Sequence, residues 1–335
     1  MDAGMDRNSH GRRSGAASGA ALIAGLAWIG LAGAVRAADS PGADPAAADT
    51  QPLEEILIQA PEPRYVAPTR RDSIGRIWAP VYINDQGPFR LALDTGANRS
   101  GVVASVVADL HMEPDASSRL MLQGVTGATA VSSIRAESLL VGDVLMKPST
   151  LPILPDALGG AEGVLGSEVL TDRRVFIDFR RDLIIIARSH SQRAPSGYET
   201  IPFQFERGRL LVVDALVGTV RAKAIIDTGA QVTVANLALR RALSGRAARH
   251  VSVDRIEGVT KDVEEGEGYS PPPITFGHIE IRCNHMTFVD MNIFKHWHLT
   301  KEPALMIGMD AIGQLETMII DYRLHELQLL MRPGS

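Results

Sequence analysis

Two short motifs with the same four residues offer this chain its clearest chemistry. Asp94 is followed by Thr-Gly-Ala, and so is Asp227, each directly behind an aliphatic run. A single Asp-Thr-Gly arises by chance in about a few per cent of chains of this size. A simple turn would require Asp and Gly but would not explain why all three residues recur behind a predicted strand. The repeated motif therefore favours a functional interpretation.

Two carboxyl groups at strand ends can work together if the fold brings the strands face to face. Neighbouring carboxylates cannot both ionise cheaply, so they share one proton and titrate as a pair. Such a pair can hold a water molecule, remove its proton and protonate the carbonyl oxygen of an amide. Asp94 and Asp227 are therefore the candidate catalytic residues for amide hydrolysis without a covalent intermediate.

The residues after each aspartate are suited to support such a pair. Each threonine hydroxyl can reach the backbone of the opposite half and lock the halves together, and each glycine lets two backbones approach closely. The candidate supporting residues are Thr95, Gly96, Ala97, Thr228, Gly229 and Ala230.

The two motifs lie at the same point of an internal repeat. Residues 75–97 resemble residues 208–230, and Asp227 follows Asp94 by 133 residues (227 − 94). Other pairs keep the same order: LQGVT at 122–126 with IEGVT at 256–260, GVLGSEVL at 163–170 with LMIGMDAI at 305–312, and FIDFRRDLIII at 176–186 with IIDYRLHELQL at 319–329. A repeat of only two units favours two packed lobes over a solenoid.

The pattern inside each half predicts an all-β fold. Short apolar or alternating runs are broken by Gly, Pro, Asn or Asp, which is typical of strands and turns. The few short helices are predicted at residues 103–110, 167–170, 236–243 and 309–315. We therefore expect two homologous, β-barrel-like lobes related by pseudo-twofold symmetry.

At these residues the chain resembles the aspartic proteases, and the alanine after each Asp-Thr-Gly is similar to the retropepsin branch. A second similarity is a hydrophobic pair before glycine, at Gly166 and Gly308, which in that family packs beside the catalytic loop. The resemblance covers about residues 73–330. It implies the bilobal aspartic-protease fold in one chain, an endopeptidase acting on extended polypeptide, and no cofactor or metal. Because one chain builds the whole dyad, we expect a monomer.

The chain also departs from the retropepsins. Those enzymes usually carry an aspartate two residues beyond the motif glycine, paired with an arginine just after the late glycine. Here these places hold Asn98 and Ser167 in one half, and Gln231 and Met309 in the other. Because both partners are missing together, no charge is left unpaired. We expect Asn98 and Gln231 to hydrogen-bond the substrate backbone instead.

Two equivalent glycine-containing turns predict a pair of flaps. Flaps would close over an extended peptide and contribute main-chain hydrogen bonds, with Val125 and Val259 touching the substrate. The alternative is two ordinary surface hairpins. The candidate flap residues are Gly124, Val125, Thr126, Gly258, Val259 and Thr260.

The N-terminal segment predicts export. Arg12 and Arg13 precede an uncharged run at 14–35, and small residues at 35 and 37 suit a cleavage site, as in a secretory signal peptide. The alternative is an uncleaved membrane tether formed by residues 14–35. We therefore expect a periplasmic or secreted protein. Residues 52–59 are either part of a pro-segment or an edge strand.

The chain thus divides into five segments. They are a signal peptide at 1–37, a flexible linker or pro-segment at 38–72, an N-terminal retropepsin-like lobe at 73–190, an interlobe linker at 191–200 and a C-terminal retropepsin-like lobe at 201–335.

Composition restricts the remaining function classes. The 335 residues suffice for about two domains, and a net charge of −5 excludes a chain-wide basic surface for nucleic acid. Cys283 is the single cysteine, which excludes an internal disulfide and a cysteine-rich metal site, so we expect a small buried apolar residue.

Three further features are interpreted as structural. His296-Trp297-His298 is expected on a strand without a metal, and the acidic run at 262–267 is expected to be a loop. Asp178 and Asp321 are expected to serve turns or the sheet ladder. Two other functions stay open beside the endopeptidase: a non-catalytic peptide-binding module and a membrane-tethered scaffold with the same fold.

Overall fold

The computed structural model describes residues 54–57, 64–65 and 77–333, apart from residues 142–143, 148, 157, 182, 207–208 and 244–250. The predicted signal peptide, the tether at 14–35 and most of the segment at 38–72 lie outside these residues. Within the described part of the chain, no helix is long and apolar enough to cross a membrane.

Strands make up most of the described chain. In chain order they are β1 (Glu54–Leu57), β2 (Arg64–Tyr65), β3 (Trp78–Ile83), β4 (Gln86–Leu93), β5 (Gly101–Val103), β6 (Asp115–Gln123), β7 (Ala128–Ala136), β8 (Leu139–Val141), β9 (Val144–Met146), β10 (Ser149–Leu154), β11 (Gly163–Leu165), β12 (Arg173–Asp178), β13 (Leu183–Arg188), β14 (Glu199–Pro202), β15 (Gln204–Glu206), β16 (Leu210–Val217), β17 (Val220–Ile226), β18 (Val234–Ala235), β19 (Ser252–Glu257), β20 (Val263–Tyr269), β21 (Ile274–Phe276), β22 (Ile279–Ile281), β23 (Met286–Phe288), β24 (Ala304–Ile307), β25 (Leu315–Asp321) and β26 (Glu326–Met331).

The described helices are all short. They are α1 (Ala104–Asp109), α2 (Leu237–Ala242), α3 (Asn292–His296), α4 (Met309–Ile312) and a 3₁₀ helix at Ser167–Leu170. All four predicted helical segments are therefore confirmed, although α4 ends earlier than expected, at Gly313.

Two large mixed sheets have the same strand order. The first follows the order β1-β6-β7-β10-β5-β11-β4-β3-β8-β9, and the second follows β2-β19-β20-β23-β18-β24-β17-β16-β21-β22. Each strand of the first sheet has a counterpart at the same place in the second. This mostly β architecture, with two matched sheets, confirms the bilobal aspartic-protease fold class predicted from the sequence.

A third sheet joins strands from both halves. Its order is β13-β12-β25-β26-β14, and β12 pairs with β25 from Arg174↔Asp321 to Asp178↔Thr317. Asp178 accepts hydrogen bonds from the N–H groups of Arg180 and Arg181, which confirms its expected role in a turn. We refer to these five strands as the shared sheet.

Buried central strands carry the two Asp-Thr-Gly-Ala motifs. β4 alternates at first and then buries Leu91, Ala92 and Leu93 in succession, because its end lies between β3 and β11. β17 takes the same place between β16 and β24, and its last three residues are also buried. A strand with neighbours on both sides and packing on both faces becomes continuously apolar.

The structure corrects two local predictions. Residues 263–267 of the acidic run are not a loop but lie in β20, opposite β19. His296 ends helix α3, and Trp297 and His298 follow in the turn, so these three residues do not occupy a strand. The side chain of Trp297 is fully buried, and its packing accounts for the position of the turn.

The segment at 52–59 contributes an edge strand. β1 pairs in parallel with β6, from Glu54↔Leu120 to Leu57↔Gln123. β2 pairs with β19 in the second large sheet. The edge-strand alternative is therefore confirmed for residues 54–57.

Candidate active site

Asp94 and Asp227 occupy equivalent positions, each directly after the corresponding strand of its half. Asp94 directly follows β4 and donates its N–H to the Leu165 carbonyl at 3.0 Å. Asp227 directly follows β17 and donates its N–H to the Ile307 carbonyl, also at 3.0 Å. Both side chains are fully buried. Each aspartate is thus placed by a parallel strand from late in its own half.

The backbone of each motif loop donates two hydrogen bonds to one oxygen of its own aspartate. Asp94 Oδ1 accepts the N–H groups of Gly96 and Ala97 at 2.8 and 3.0 Å. Asp227 Oδ1 accepts those of Gly229 and Ala230 at 2.9 and 3.0 Å.

The second oxygen of each carboxyl group is buried and faces the opposite aspartate. Among the described residues, the Oδ2 atoms have no hydrogen-bond donor other than the partner carboxyl group, with which the pair shares a hydrogen bond. A buried polar atom without an ordinary donor is costly in a folded protein and often marks a functional site. These two oxygens are therefore the acceptors that a water molecule or a substrate would meet.

The two motifs approach each other at van der Waals distance. A Cβ atom built on Gly229 would lie 2.5 Å from Asp94 Oδ2. Any other residue at 229 would collide with the opposite carboxyl group. Glycine is therefore required here by the close approach of the two loops.

Burial changes the acidity of both carboxyl groups. Loss of solvation raises the pKa of Asp94 well above its ordinary value, and the charge of Asp227 raises it further. Desolvation raises the pKa of Asp227 to about 7, partly offset by the N–H groups of Gly229 and Ala230. A carboxyl pair of this kind retains a proton far above the pH at which an exposed aspartic acid loses it.

The two threonines exchange hydrogen bonds across the halves. The Thr95 hydroxyl donates to the Ile226 carbonyl at 2.5 Å and accepts the Thr228 N–H at 3.1 Å. The Thr228 hydroxyl donates to the Leu93 carbonyl at 2.7 Å and accepts the Thr95 N–H at 3.1 Å. Four buried hydrogen bonds therefore join the loops that carry the aspartates.

The late glycines lie beside the motif loops, as the resemblance implies. Ser167, the residue after Gly166, donates its N–H to the Ala97 carbonyl, and Met309, the residue after Gly308, donates to the Ala230 carbonyl, both at 2.8 Å. Cβ atoms on Gly166 and Gly308 would lie 2.8 and 2.9 Å from backbone nitrogens of the adjoining loops.

The structure reveals a loop support that we did not predict from the sequence. The Ser100 hydroxyl accepts the Gly166 N–H at 3.0 Å, and the Thr233 hydroxyl accepts the Gly308 N–H at 3.2 Å. An acid completes each half: the half-buried Glu168 accepts the Ser100 N–H at 2.6 Å, and the Thr233 hydroxyl donates to Asp310 at 2.7 Å.

These acids take a place close to the one where retropepsins carry arginine. Burial raises the pKa of both Glu168 and Asp310. The signal was present in the repeat, because Ser100 and Thr233 share the 133-residue offset and both acids stand two residues after the late glycine. The retropepsin pattern of an aspartate paired with an arginine does not point to acids at these two positions.

The predicted flap residues occupy the tips of two hairpins. Residues 124–127 connect β6 to β7, and residues 258–262 connect β19 to β20. The tips meet: the Gly258 N–H donates to the Thr126 hydroxyl at 3.1 Å, and the Thr126 and Thr260 hydroxyl oxygens are 3.5 Å apart.

Val125 reaches from one half into the other. It is fully buried in an apolar cluster with residues of the second half, including Ile225 and Ile293. Its carbonyl accepts the Ile293 N–H at 3.2 Å, and the Gly124 carbonyl accepts from the Asn292 amide at 3.3 Å. Val259 is equally buried. Contact of either valine with substrate stays a prediction.

The other candidate residues are placed near the motifs without a demonstrated role. Asn98 and Gln231 are half-buried and follow the motif loops, and the Gln231 carbonyl accepts the Asp310 N–H at 3.1 Å. Cys283 is buried, as expected, and desolvation raises the pKa of its thiol to about 12. Within the described ranges, no cluster of three or more His, Cys, Asp or Glu side chains is arranged to hold a metal ion.

Comparison with known proteins agrees with this geometry over part of the chain. A search of curated proteins found no match. A protein-family model described as aspartyl protease matches residues 79–169, which include the Asp94 motif, the first flap and Gly166. Residues 79–169 are therefore similar to an aspartyl protease domain.

Proposed function

We propose that this protein is a single-chain, retropepsin-like aspartic endopeptidase that cleaves extended polypeptides. The observation that carries this proposal is the symmetry of the dyad. Each carboxyl group has one oxygen held by two backbone N–H groups and a second oxygen whose only partner is the opposite carboxyl group. A purely structural aspartate would be expected to have both oxygens satisfied.

The mechanism follows from the shared proton. One carboxylate of the Asp94–Asp227 pair takes a proton from a bound water as its oxygen attacks the peptide carbonyl carbon. The protonated partner gives its proton to the carbonyl oxygen, which yields a neutral tetrahedral diol. Collapse of the diol breaks the C–N bond: the leaving nitrogen takes the proton that the first carboxyl group received from water, and one diol hydroxyl returns its proton to the second carboxylate as the C=O bond of the product acid forms. The pair returns to its singly protonated state.

The supporting residues act by holding this geometry. The motif N–H groups orient the two carboxyl groups, and the threonine hydroxyls keep the halves in register. Preorganised groups in a water-poor site stabilise charge without having to reorganise during the reaction. The protein's own carboxyl pair supplies the acid and the base for this reaction, so the proposal includes no cofactor.

Access of substrate requires the two hairpin tips to separate. Both aspartates are fully buried, and the tips bond to each other at Thr126 and Gly258. We propose that the hairpins are flaps that open to admit a peptide and then close on it. Asn98 and Gln231, beside the motifs, are proposed to bind the peptide backbone.

The organisation of the whole chain is proposed on the sequence pattern. Residues 73–190 and 201–335 would be the two lobes, joined by a linker at 191–200, and the enzyme would be monomeric. Residues 1–37 would direct export to the periplasm or the medium. N-terminal sequencing of the exported protein tests this, because an intact run at 14–35 would show a tether instead.

The decisive experiment removes one acid at a time. Asp94→Asn and Asp227→Asn should each lower cleavage of a proteome-derived peptide library by at least about a thousandfold. Residues that act as one catalytic unit lose most of their effect when either member is removed. Products are identified by mass spectrometry. Asp214→Asn, an exposed aspartate on β16, is the matched control and should cleave normally.

The outcomes separate the candidate functions. Cleavage that persists in either dyad variant, with the same products, would rule out the mechanism. Wild-type protein that binds peptides tightly but yields no products would point to the peptide-binding module instead.

A further inference from the structure

A second candidate site lies at one end of the shared sheet. A cavity of about 520 Å³ opens there, and its lining is strongly polar. The lining residues are Thr171, Asp172, Arg173, Arg188, Ser189 and Arg323. None of them belongs to the dyad, the motif loops or the flaps. We call this cavity the arginine pocket.

The fold places two of the arginines directly opposite each other. Arg173 begins β12 and Arg188 ends β13, and the two are Cα partners in the antiparallel register. Like charges directly opposite on neighbouring strands are destabilising. The register therefore places two guanidinium-bearing side chains on the same face at this end of the shared sheet.

The third arginine reaches the pocket from the other side of β12. The Tyr322 N–H donates to the Arg173 carbonyl at 2.9 Å, which fixes the end of β25 beside β12. Arg323 follows, and its guanidinium donates to the Ser189 carbonyl at 3.2 Å. Three strand ends thus direct three guanidinium-bearing residues to one cavity.

The nearby buried acid is already committed. Asp321 receives Arg174 at 3.0 Å, the Ser189 hydroxyl at 2.8 and 2.9 Å, and the N–H groups of Arg323 and Leu324. The Asp321 carboxylate therefore already has an arginine and several hydrogen-bond donors as partners within the shared sheet.

The lining keeps an excess of positive charge. Its three arginines face one lining carboxylate, that of Asp172, so the net formal charge is +2 (3 − 1). In the part of the chain that the structure describes, no carboxylate forms an ion pair with Arg188 or Arg323. Both residues are exposed, so a solute can reach them.

We propose that the arginine pocket binds a phosphate-type oxyanion, either free phosphate or a phosphate monoester. Guanidinium groups bind phosphate through paired, charge-assisted hydrogen bonds, which their planar shape favours over other cations. A dianion between Arg173, Arg188 and Arg323 would balance the net charge of the lining. The volume of the cavity leaves room for the group that carries the phosphate.

The proposal is tested by calorimetric titration of the full-length protein with inorganic phosphate. The double variant Arg188→Gln/Arg323→Gln removes the two exposed cations and should weaken binding at least tenfold. Arg282→Gln removes the same kind of charge at a distant site whose side chain is 79% exposed, and should leave binding unchanged. A change in the unfolding temperature with phosphate, present in wild type and lost in the double variant, is a second readout.

Two arms distinguish the source of the phosphate. Vesicles of phosphatidylcholine with phosphatidic acid present a phosphate monoester on a lipid, whereas pure phosphatidylcholine vesicles carry only the choline phosphodiester, which has no net charge. Vesicle sedimentation that requires both phosphatidic acid and the two arginines would assign a lipid headgroup, whereas binding of free phosphate alone would assign a soluble ligand.

Other results would overturn the proposal. These are an absence of binding to either probe, or equal binding by wild type and the double variant. Neither the titration nor the sedimentation measures peptidase activity, so failure here leaves the endopeptidase proposal intact, and failure of that proposal leaves this one intact.

Discussion

Buried carboxyl groups at residues 94 and 227 behave differently from the exposed carboxylates of the same chain. Burial and mutual charge raise the pKa of Asp94, and desolvation raises the pKa of Asp227. The alanines after each motif contribute only their N–H groups. A hydroxyl there would favour the anion further, so its absence helps the pair to keep its proton towards neutral pH.

The pH profile of cleavage tests this at the residue scale. The reactive form holds one proton on the pair, and a raised pKa means that this proton leaves only at higher pH. Ionisation of Asp227, whose pKa is raised to about 7, forms this singly protonated pair. The charge of Asp227 raises the pKa of Asp94 further, so Asp94 holds the remaining proton. We therefore expect kcat/KM to rise with pH up to about neutrality and to fall only at the higher pH where Asp94 loses its proton. A profile that is maximal only below about pH 3 would contradict the assignment.

Each flap hairpin depends on packing at its tip rather than on its strands alone. β6 and β7 pair along their length, but the position of the tip is set by Val125 among residues of the second half. The contacts that hold the tip are separate from the hydrogen bonds that pair the strands, so a change at the tip can be distinguished from unfolding of the sheet. The parallel pairing of β1 with β6 supports the outer edge of the same hairpin.

Shortening Val125 tests this at the element scale. Val125→Ala should increase hydrogen exchange at the Ile293 amide, which donates to the Val125 carbonyl, by roughly fivefold, since that is the effect of losing about 1 kcal/mol of local packing. Peptide-level exchange mass spectrometry measures it. Val131→Ala, the same change within β7, is the control.

Faster exchange in the control variant as well would show general loosening of the hairpin rather than release of its tip. Unchanged exchange at residue 293 in Val125→Ala would show that the tip is not held by this side chain.

The two halves are joined at two levels of the whole molecule. The shared sheet pairs β12 of the first half with β25 of the second. In addition, the hydroxyls of Thr95 and Thr228 each donate a hydrogen bond to a backbone carbonyl of the opposite half, which we call the threonine crossing. Since a buried polar group left without its partner costs more than an average hydrogen bond contributes, the crossing is sensitive to loss of either hydroxyl.

Removal of one hydroxyl tests the crossing. Thr95→Val keeps the shape but leaves the Ile226 carbonyl and the Thr228 N–H without their partner, and should lower the free energy of unfolding by about 2–4 kcal/mol. Thr95→Ser keeps the hydroxyl and should lose far less. Urea unfolding measures both. Equal stability of the valine variant and wild type would show that the crossing does not hold the halves together.

Local patterns in the sequence were sufficient for the elements and for the main site residues. The Asp-Thr-Gly-Ala motifs and the four short helices depend on residues that are neighbours along the chain, and the helices lie where the sequence predicted. The turn at residues 296–298 and the strand at 263–269 were mispredicted. In both places, burial of Trp297 and pairing with β19 outweigh local preference.

The tertiary structure alone decided which groups meet. The Thr126–Gly258 contact between the flap tips, the exchange of hydrogen bonds between Thr95 and Thr228, and the opposition of Arg173 and Arg188 all join residues distant in sequence or on separate strands. The reason is physical: composition and periodicity determine whether a segment becomes a strand, whereas register and packing across the core determine which strands, and therefore which side chains, lie side by side.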